Sequence, residues 1–485
     1  MDRQVIGRRA FVRGVATAAA AAALLPRLAR AEARPSYGGS LVASLSSSAA
    51  AIDPLAAWSY ADQTLAALLF DGLYRVGARG DAVPQLAEAL PEVTGTSVRI
   101  PLRRGVAFHD GHELSSGDAA LALERALHAP IADWALADVE RVSADGATLR
   151  LALRRPVPPA ELALALSAPQ LAIARGTRKR PLGTGPFQLD RRAARPGVLV
   201  AHEGCFAGRP YLDRLSLATF AHRDDEARAY EIGKSDVSLS GAVAFAGHQP
   251  KYPTRVVDGP ATQLVFLGFG KANRRVTDAP AFRAAISQAI GRAAFRHVGA
   301  GERVVAALVP ESPDLGGATP DAAALTARPD LARPALASAA ALRLSLVVDR
   351  SRPDDADVAT RLIAALDAAG VTVSVESLAP DAYSARVAAG TCDLWLGQLG
   401  APTPDPLHEL LLAFAAGGDS WAADERRAGR LDRARALAAW TQRWPVVPLY
   451  HRAVRAHHRD TWHGLGFDAL GRLSFADTYQ LAGAR

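Results

Sequence analysis

The sequence has few of the cysteines that stabilise small secreted domains through disulfides, and few of the long apolar runs that hold a chain in a membrane. It contains only two cysteines, Cys205 and Cys392, which lie in different halves of the chain. The sequence leaves open whether they pair, but two isolated cysteines are better explained as small, buried hydrophobic residues. Beyond the N-terminal segment described below, no stretch approaches the roughly 20 apolar residues that a membrane-spanning helix needs. We therefore expect no transmembrane helix in the body of the protein.

Lysine is also scarce, because only four of the 56 Lys and Arg residues are lysines. The formal net charge is +7, and more than half of this excess falls in the first 33 positions, which hold six arginines and two acidic residues. The remainder has no basic block interleaved with aromatic residues, the pattern that follows a phosphate backbone. We therefore expect no nucleic-acid partner.

The first 33 residues have the pattern of an export signal. Arg8 and Arg9 form the arginine pair of a twin-arginine signal, and a short apolar run follows at residues 15–25. Ala31 and Ala33 flank Glu32 as a small-x-small cleavage site. No cysteine stands near this site to carry a lipid anchor. We expect cleavage near Ala33 and a soluble periplasmic product.

The length of 485 residues favours two or three domains, and 49% apolar with 22% charged residues is typical of a globular protein. Residues 39–241 read as mixed α+β, with Ser115 and Asp118 predicted to cap a helix. From about residue 259 strands and helices alternate, and residues 342–378 predict a parallel βαβ unit. Residues 425–444 predict one helix, and residues 311–335 a surface connection.

Motifs for catalysis are missing. The sequence has neither the Gly-x-Ser-x-Gly turn of serine hydrolases nor the complete phosphate-binding loop Gly-x-x-x-x-Gly-Lys-Ser/Thr. His109 and Asp110 are adjacent in sequence, where two side chains seldom converge on one substrate. His112 and His408 each precede a glutamate but lack the second histidine of a zinc protease. We expect no enzyme activity and no cofactor.

Four histidines crowd into the C-terminal part of the chain. Their spacing matches no standard metal site, so we interpret the segment as a solvated tail and expect no bound metal. A metal-related ligand remains a remote alternative, because imidazole commonly binds transition metals. The four are His451, His457, His458 and His463.

Several separated motifs, taken together, resemble the extracellular solute-binding family 5, the dipeptide-, oligopeptide- and nickel-binding proteins of ABC importers. The most specific match runs through residues 102–111 (LRRGVAFHDG), with LSSGD at 114–118 and LERA at 123–126. Weaker matches are FDGL at 70–73, GTGPF at 183–187, GRPYLD at 208–213, Asp405-Pro406 and PVVPLY at 445–450.

This resemblance implies a mixed α/β, two-lobed periplasmic binding protein of the large peptide-binding type. The first lobe would comprise residues 34–255 and 451–485, with an inserted subdomain at about 61–165, and the second lobe residues 256–450. It also implies a small-molecule or peptide ligand held by hinge closure, and delivery to an inner-membrane ABC permease. We expect a monomer. A ligand sensor or another non-transport binding protein on the same fold is the alternative.

The chain departs from the family where peptide-holding members carry a tryptophan and then an acid that pairs with the peptide ammonium. Gln398 stands at the tryptophan and Ala401 at the acid. A buried ammonium without a counter-charge is costly, so we expect free peptides to bind weakly. The candidate ligand-binding residues are Gln398, Gly400 and Ala401, with Trp58 and Tyr60 as aromatic walls.

Overall fold

The computed structural model describes residues 35–45, 53–177, 180–193, 197–220, 223–239, 252–298, 303–339, 342–352 and 354–481. The export-signal segment, residues 1–33, lies outside the described residues. The strands in chain order are β1 Pro35–Ser36, β2 Ser40–Leu45, β3 Tyr74–Val76, β4 Ala82–Pro84, β5 Glu92–Thr94, β6 Ser97–Pro101, β7 Val139–Asp145, β8 Thr148–Leu153, β9 Arg175–Thr177, β10 Arg180–Leu182, β11 Phe187–Leu189, β12 Val198–Ala201, β13 Arg214–Thr219, β14 Val237–Ser238, β15 Thr254–Asp258, β16 Gln263–Phe269, β17 Val304–Ala306, β18 Arg343–Asp349, β19 Thr372–Leu378, β20 Leu394–Gly400, β21 Val446–Arg452, β22 Arg455–Arg459, β23 Trp462–His463, β24 Gly466–Phe467, β25 Leu473–Ser474 and β26 Tyr479–Leu481.

The α-helices in chain order are α1 Tyr60–Leu69, α2 Ser116–Leu127, α3 Pro130–Leu136, α4 Pro159–Ala165, α5 Arg223–Glu231, α6 Arg274–Thr277, α7 Pro280–Ala289, α8 Pro329–Leu336, α9 Asp355–Ala368, α10 Pro380–Ala389, α11 Pro406–Ala416, α12 Trp421–Arg427 and α13 Arg433–Arg443. Short 3-10 turns lie at Pro54–Ala56, Pro169–Leu171, Arg292–Phe295, Pro313–Leu315, Ala323–Leu325 and Ala337–Ala339. Among the described residues, no helix combines the length and the apolar character needed to cross a bilayer.

Two large sheets organise the molecule into two lobes. The sheet of the first lobe has the strand order β11-β12-β13-β2-β14-β22-β15. Its strand β2 pairs in parallel with β13 and β14, and the remaining pairs are antiparallel. Leu41 and Ala43 of β2 are fully buried against helix α1 and neighbouring strands.

The sheet of the second lobe has the order β17-β21-β16-β20-β18-β19. Strands β18 and β19 are parallel and in register from Arg343 opposite Thr372 to Asp349 opposite Leu378, with α9 between them in the chain. The predicted βαβ unit is therefore confirmed. Helix α7 and helix α9 cover this sheet with a separate hydrophobic core.

A third, antiparallel sheet of order β5-β6-β8-β7 lies within the segment expected as an inserted subdomain. Ser115 and Asp118 form the predicted capping box at the start of α2, with the Asp118 amide donating to Ser115 Oγ over 3.2 Å. The hydrophobic core of this sheet continues into helices α11 to α13, where Trp134 shares one cluster with Phe414 and Trp440. The third sheet and helices α11 to α13, which precede β21 in the chain, thus share one hydrophobic core.

The chain passes between the two large sheets twice, over very short connections. Residues 259–262 join β15 to β16, and residues 453–454 join β21 to β22. The two connections touch, because the Gly259 amide donates to the Val454 carbonyl over 2.8 Å. Short crossing segments of this kind confine any relative motion of the lobes to a few backbone angles.

One prediction of local structure is wrong. The helix expected at residues 425–444 is two helices, α12 and α13, because Gly429 adopts the left-handed conformation with φ +68° and ends the first. The connection expected at 311–335 lies mostly at the surface, although it begins at the buried residues Glu311 and Ser312 and runs into helix α8.

Cys205 and Cys392 are both buried and both free, which confirms their interpretation as small hydrophobic residues.

Candidate ligand-binding site

The lobes meet where strand β20 ends against the segment that precedes helix α1. The Gly400 amide donates to the Trp58 carbonyl over 2.8 Å, and Gln63 Nε2 of α1 donates to the Gly400 carbonyl over 2.9 Å. A Cβ atom on residue 400 would lie 2.9 Å from the Gln63 side chain, so only glycine fits here without displacement. Trp58 and Gly400, both proposed from sequence, are therefore direct neighbours.

Helix α1 is positioned at this contact by its own sequence. Ser59 is the N-cap, its side chain accepts from the Asp62 amide, and Asp62 accepts in return from the Ser59 amide. This capping box satisfies amide groups that the first turn would otherwise leave unpaired. It fixes where the helix begins and thus where Gln63 points.

Gln398 begins a buried polar chain that crosses the second-lobe sheet. Its Oε1 accepts from Gln263 Nε2 over 2.9 Å, and Gln263 Oε1 accepts from Arg452 Nη2 over 2.7 Å. Arg452 Nη1 in turn donates to Asp354 over 2.7 Å. Three strands and the start of α9 are thereby tied to one candidate residue, whose side chain is nearly buried.

Ala401 and Tyr60 lie in other surroundings. Ala401 packs in a small apolar cluster with Val76 and Leu470, so its position carries no carboxylate. Tyr60 is buried beside Thr64, and burial raises the pKa of its phenol, a shift that the hydrogen bond with Thr64 partly opposes. The structure thus brings Trp58 and Gly400 into direct contact, and Gln398 lies two residues before Gly400 on β20.

Residues 81–421 match the family described as bacterial extracellular solute-binding proteins, family 5 Middle. The chain belongs to this family. The predicted family and fold class are confirmed, and both are those of binding proteins.

Sequence relatives of this family 5 protein match over parts of their length. The uncharacterized protein YhjP of Bacillus subtilis is 32% identical over 214 residues, which cover 42% of this chain and 36% of that protein. The oligopeptide-binding protein AppA of Bacillus subtilis is 23% identical over 302 residues, which cover 58% of this chain and 55% of AppA. The alignments thus span between about a third and just over half of these curated relatives.

The fold is shared over nearly the whole chain. The periplasmic binding protein DppA of Helicobacter pylori, solved in complex with the peptide STSA, superposes with a TM-score of 0.77 at 18% identity, covering 92% of this chain and 99% of that one. At such low identity the similarity establishes the two-lobed architecture only.

Sequence reasoning missed a charged cluster next to this contact. Arg352 Nε lies 3.5 Å from Asp349 Oδ2, and Arg352 Nη1 lies 3.8 Å from Asp355 Oδ2. Burial raises the pKa of Asp355 to about 7, and Arg352 partly opposes this shift. Burial likewise raises the pKa of Asp62 on α1, which hydrogen bonds from Ser59 and the charge of Arg352 lower. The signal was the run of charged residues at 349–355, directly after the buried strand β18.

The histidine-rich segment is not the solvated tail that the sequence suggested. His451 is buried on β21, and His457 and His458 are buried on β22. His451 Nε2 lies 2.7 Å from Glu409 Oε1, and the Ser312 amide donates to Glu409 Oε2 over 2.7 Å. Over the described ranges, no three His, Cys, Asp or Glu side chains are grouped to hold a metal ion.

Proposed function

We propose that this family 5 protein is the ligand-capturing subunit of an ABC importer, which holds a small solute between its lobes and delivers it to an inner-membrane permease. The observation that carries the proposal is the contact of Gly400 with Trp58 and Gln63. It places main-chain donors and acceptors of one lobe against the other, where a solute with amide-like groups would compete for them.

The proposed lobes are residues 34–255 with 451–485, including the subdomain at about 61–165, and residues 256–450. Support comes from the two large sheets and from the two short connections at 259–262 and 453–454. The proposed binding residues are Trp58, Tyr60, Gln398, Gly400 and Ala401. Of these five residues, Tyr60 and Ala401 are buried and Trp58 is half-buried.

The proposed ligand is peptide-like or another small solute, without dependence on a free amino terminus. Ala401 lies in an apolar cluster, so it offers no counter-charge to an ammonium group. Asp349 and Asp355 already pair with Arg352, and Asp62, which precedes Gln63, accepts hydrogen bonds from Ser59. Peptides with a blocked amino terminus should therefore bind at least as well as free ones.

Calorimetry against paired free and N-acylated di- and tripeptides tests the site and the ligand together. The variant Gly400→Val should weaken binding of any true ligand, because its side chain would collide with Gln63. Gly466→Ala is the matched control, since a Cβ atom there meets nothing within 4 Å. Tight binding that is lost on acylation would show that an acid other than residue 401 holds the ammonium.

We further propose that the protein is exported through its twin-arginine signal, cleaved near Ala33, and acts as a monomer without catalytic activity. Replacing Arg8 and Arg9 by lysine should retain the precursor in the cytoplasm. N-terminal sequencing of the exported protein measures the cleavage point. A periplasmic product that begins at Met1 would contradict this part of the proposal.

A further inference from the structure

A cavity of about 380 Å³ shares no lining residue with the interlobe contact. Arg180 and Leu182 of β10 line it. Gln188 and Leu189 of β11, followed by Arg191, line it as well. The volume is in the range of sites that hold small organic ligands.

Both arginines of this cavity, Arg180 and Arg191, are exposed to solvent. Over the described residues, neither Arg180 nor Arg191 forms an ion pair with a carboxylate. Asp190, adjacent to Arg191, is already paired with Arg214, whose Nη1 lies 2.9 Å from Asp190 Oδ2. Two arginines therefore line one cavity without a carboxylate partner among the described residues.

His109 also lines the cavity, and its imidazole is neutral and held by two hydrogen bonds. Its Nδ1 accepts from the Gly183 amide over 3.2 Å, so its Nε2–H donates to the Gly185 carbonyl at 3.2 Å. Burial lowers the pKa of His109 to about 4, with smaller contributions in the same direction from His202 and Arg191. The imidazole thus stays uncharged at neutral pH, and the positive charge of the cavity comes from the two arginines.

Asp110, which follows His109 in the chain, already accepts a hydrogen bond. Asp110 Oδ1 accepts from the His112 amide over 3.1 Å and closes the turn after the histidine. Leu182 and Leu189 add an apolar surface between the charged ends of the cavity. A site with two fork-shaped donors and an apolar wall matches a phosphate group carried on a small organic body.

We propose that this cavity binds an organic phosphate through Arg180 and Arg191, independently of the solute held between the lobes. The phosphate oxygens would accept from the two guanidinium groups, and the organic part would lie on Leu182 and Leu189. The same chemistry is offered by a free phosphate ester and by the headgroup of phosphatidylglycerol at a membrane surface.

Two measurements on the whole exported protein distinguish these sources. Glycerol phosphate is titrated calorimetrically, and vesicles of phosphatidylglycerol with phosphatidylcholine are compared with phosphatidylcholine vesicles by co-sedimentation. The variant carrying both Arg180→Gln and Arg191→Gln should bind whichever probe the protein takes about tenfold more weakly, because each charged hydrogen bond contributes substantially to affinity. Arg296→Gln, an exposed arginine elsewhere, should bind that probe as the parent does.

Each outcome decides between the possibilities. Arginine-dependent binding of glycerol phosphate alone assigns a soluble ligand, and arginine-dependent binding of the anionic vesicles alone assigns the lipid headgroup. The Gly400→Val variant should bind either probe normally, so failure of the interlobe proposal leaves this one testable. Absence of binding to both probes, or binding that the double variant and Arg296→Gln share equally, would overturn the proposal.

Discussion

His408 of helix α11 is a buried, uncharged histidine that packs against Trp134 of helix α3. Its ring lies 4.8 Å from the Trp134 ring, centroid to centroid, and its Nδ1 lies 2.7 Å from Thr403 Oγ1. Burial lowers the pKa of His408 to about 3, with a further contribution from the charge of Arg426. The folded protein therefore resists protonation of a group that titrates near 6.5 when exposed.

This difference predicts a pH dependence with a definite sign. Because the folded-state pKa is the lower one, the contribution of His408 to stability is complete above pH 6.5 and is lost as the pH falls towards 3. His408→Gln should make the free energy of unfolding decline less steeply over that window. Urea unfolding at a series of pH values measures the slope, with the exposed His297→Gln as control. An unchanged slope in His408→Gln would contradict the assignment.

At the scale of elements, the segment between α3 and β7 is held to helix α12 by a nearly buried ion pair. Arg426 Nε lies 3.1 Å from Asp138 Oδ2, and both side chains are almost completely buried. Arg155 Nε approaches the other oxygen of Asp138 at 2.7 Å. Removing one member of such a pair leaves a charge with too few partners, which is more costly than removing both.

A double-mutant cycle on Asp138→Ala and Arg426→Ala should therefore give a coupling free energy of about 1–3 kcal/mol. The exposed pair Arg361 and Asp357, 3.1 Å apart on helix α9, is the matched control and should couple by less than about 1 kcal/mol. Chemical unfolding of the four variants in each cycle provides the numbers. Equal coupling in both cycles would mean that hydrophobic contacts alone hold the segment between α3 and β7 to helix α12.

At the scale of the whole molecule, two sheets joined by two adjacent short connections form a hinge geometry. A solute that contacts both lobes binds the closed arrangement more tightly than the open one, and so shifts the population towards closure. The polar chain from Gln398 to Asp354 joins three strands of the second large sheet to the start of helix α9, so these elements are expected to move as one body.

Closure predicts that an identified ligand lowers the radius of gyration and raises the unfolding temperature together. At a ligand concentration of about 100 times Kd, mass action adds about 2.7 kcal/mol of stability. Small-angle scattering and thermal unfolding, each with and without ligand, measure the two effects. Gly400→Val should reduce both at the same ligand concentration, whereas Gly466→Ala should not. Stabilisation without any change in radius would indicate binding to one lobe only.

Local signals in the sequence were sufficient for much of the architecture. The parallel βαβ unit and the Ser115 capping box depend on residues that are neighbours in the chain, so their patterns could be interpreted directly. The family followed from motifs distributed in a fixed order. Gly429 shows the limit of periodicity, because the apolar spacing continues across a position where the backbone turns left-handed.

Only the tertiary structure decided which candidate residues share a face and which charges meet. Gln63 was not predicted to bond Gly400, because 337 positions separate them in sequence. The buried histidines of β21 and β22 looked solvated for the same reason, since the strands that cover them come from distant parts of the chain. Local patterns along the chain were thus enough to identify the family and many helices and strands. The interlobe contact and the cavity lined by Arg180 and Arg191 could not be predicted, because both depend on where segments distant in sequence converge.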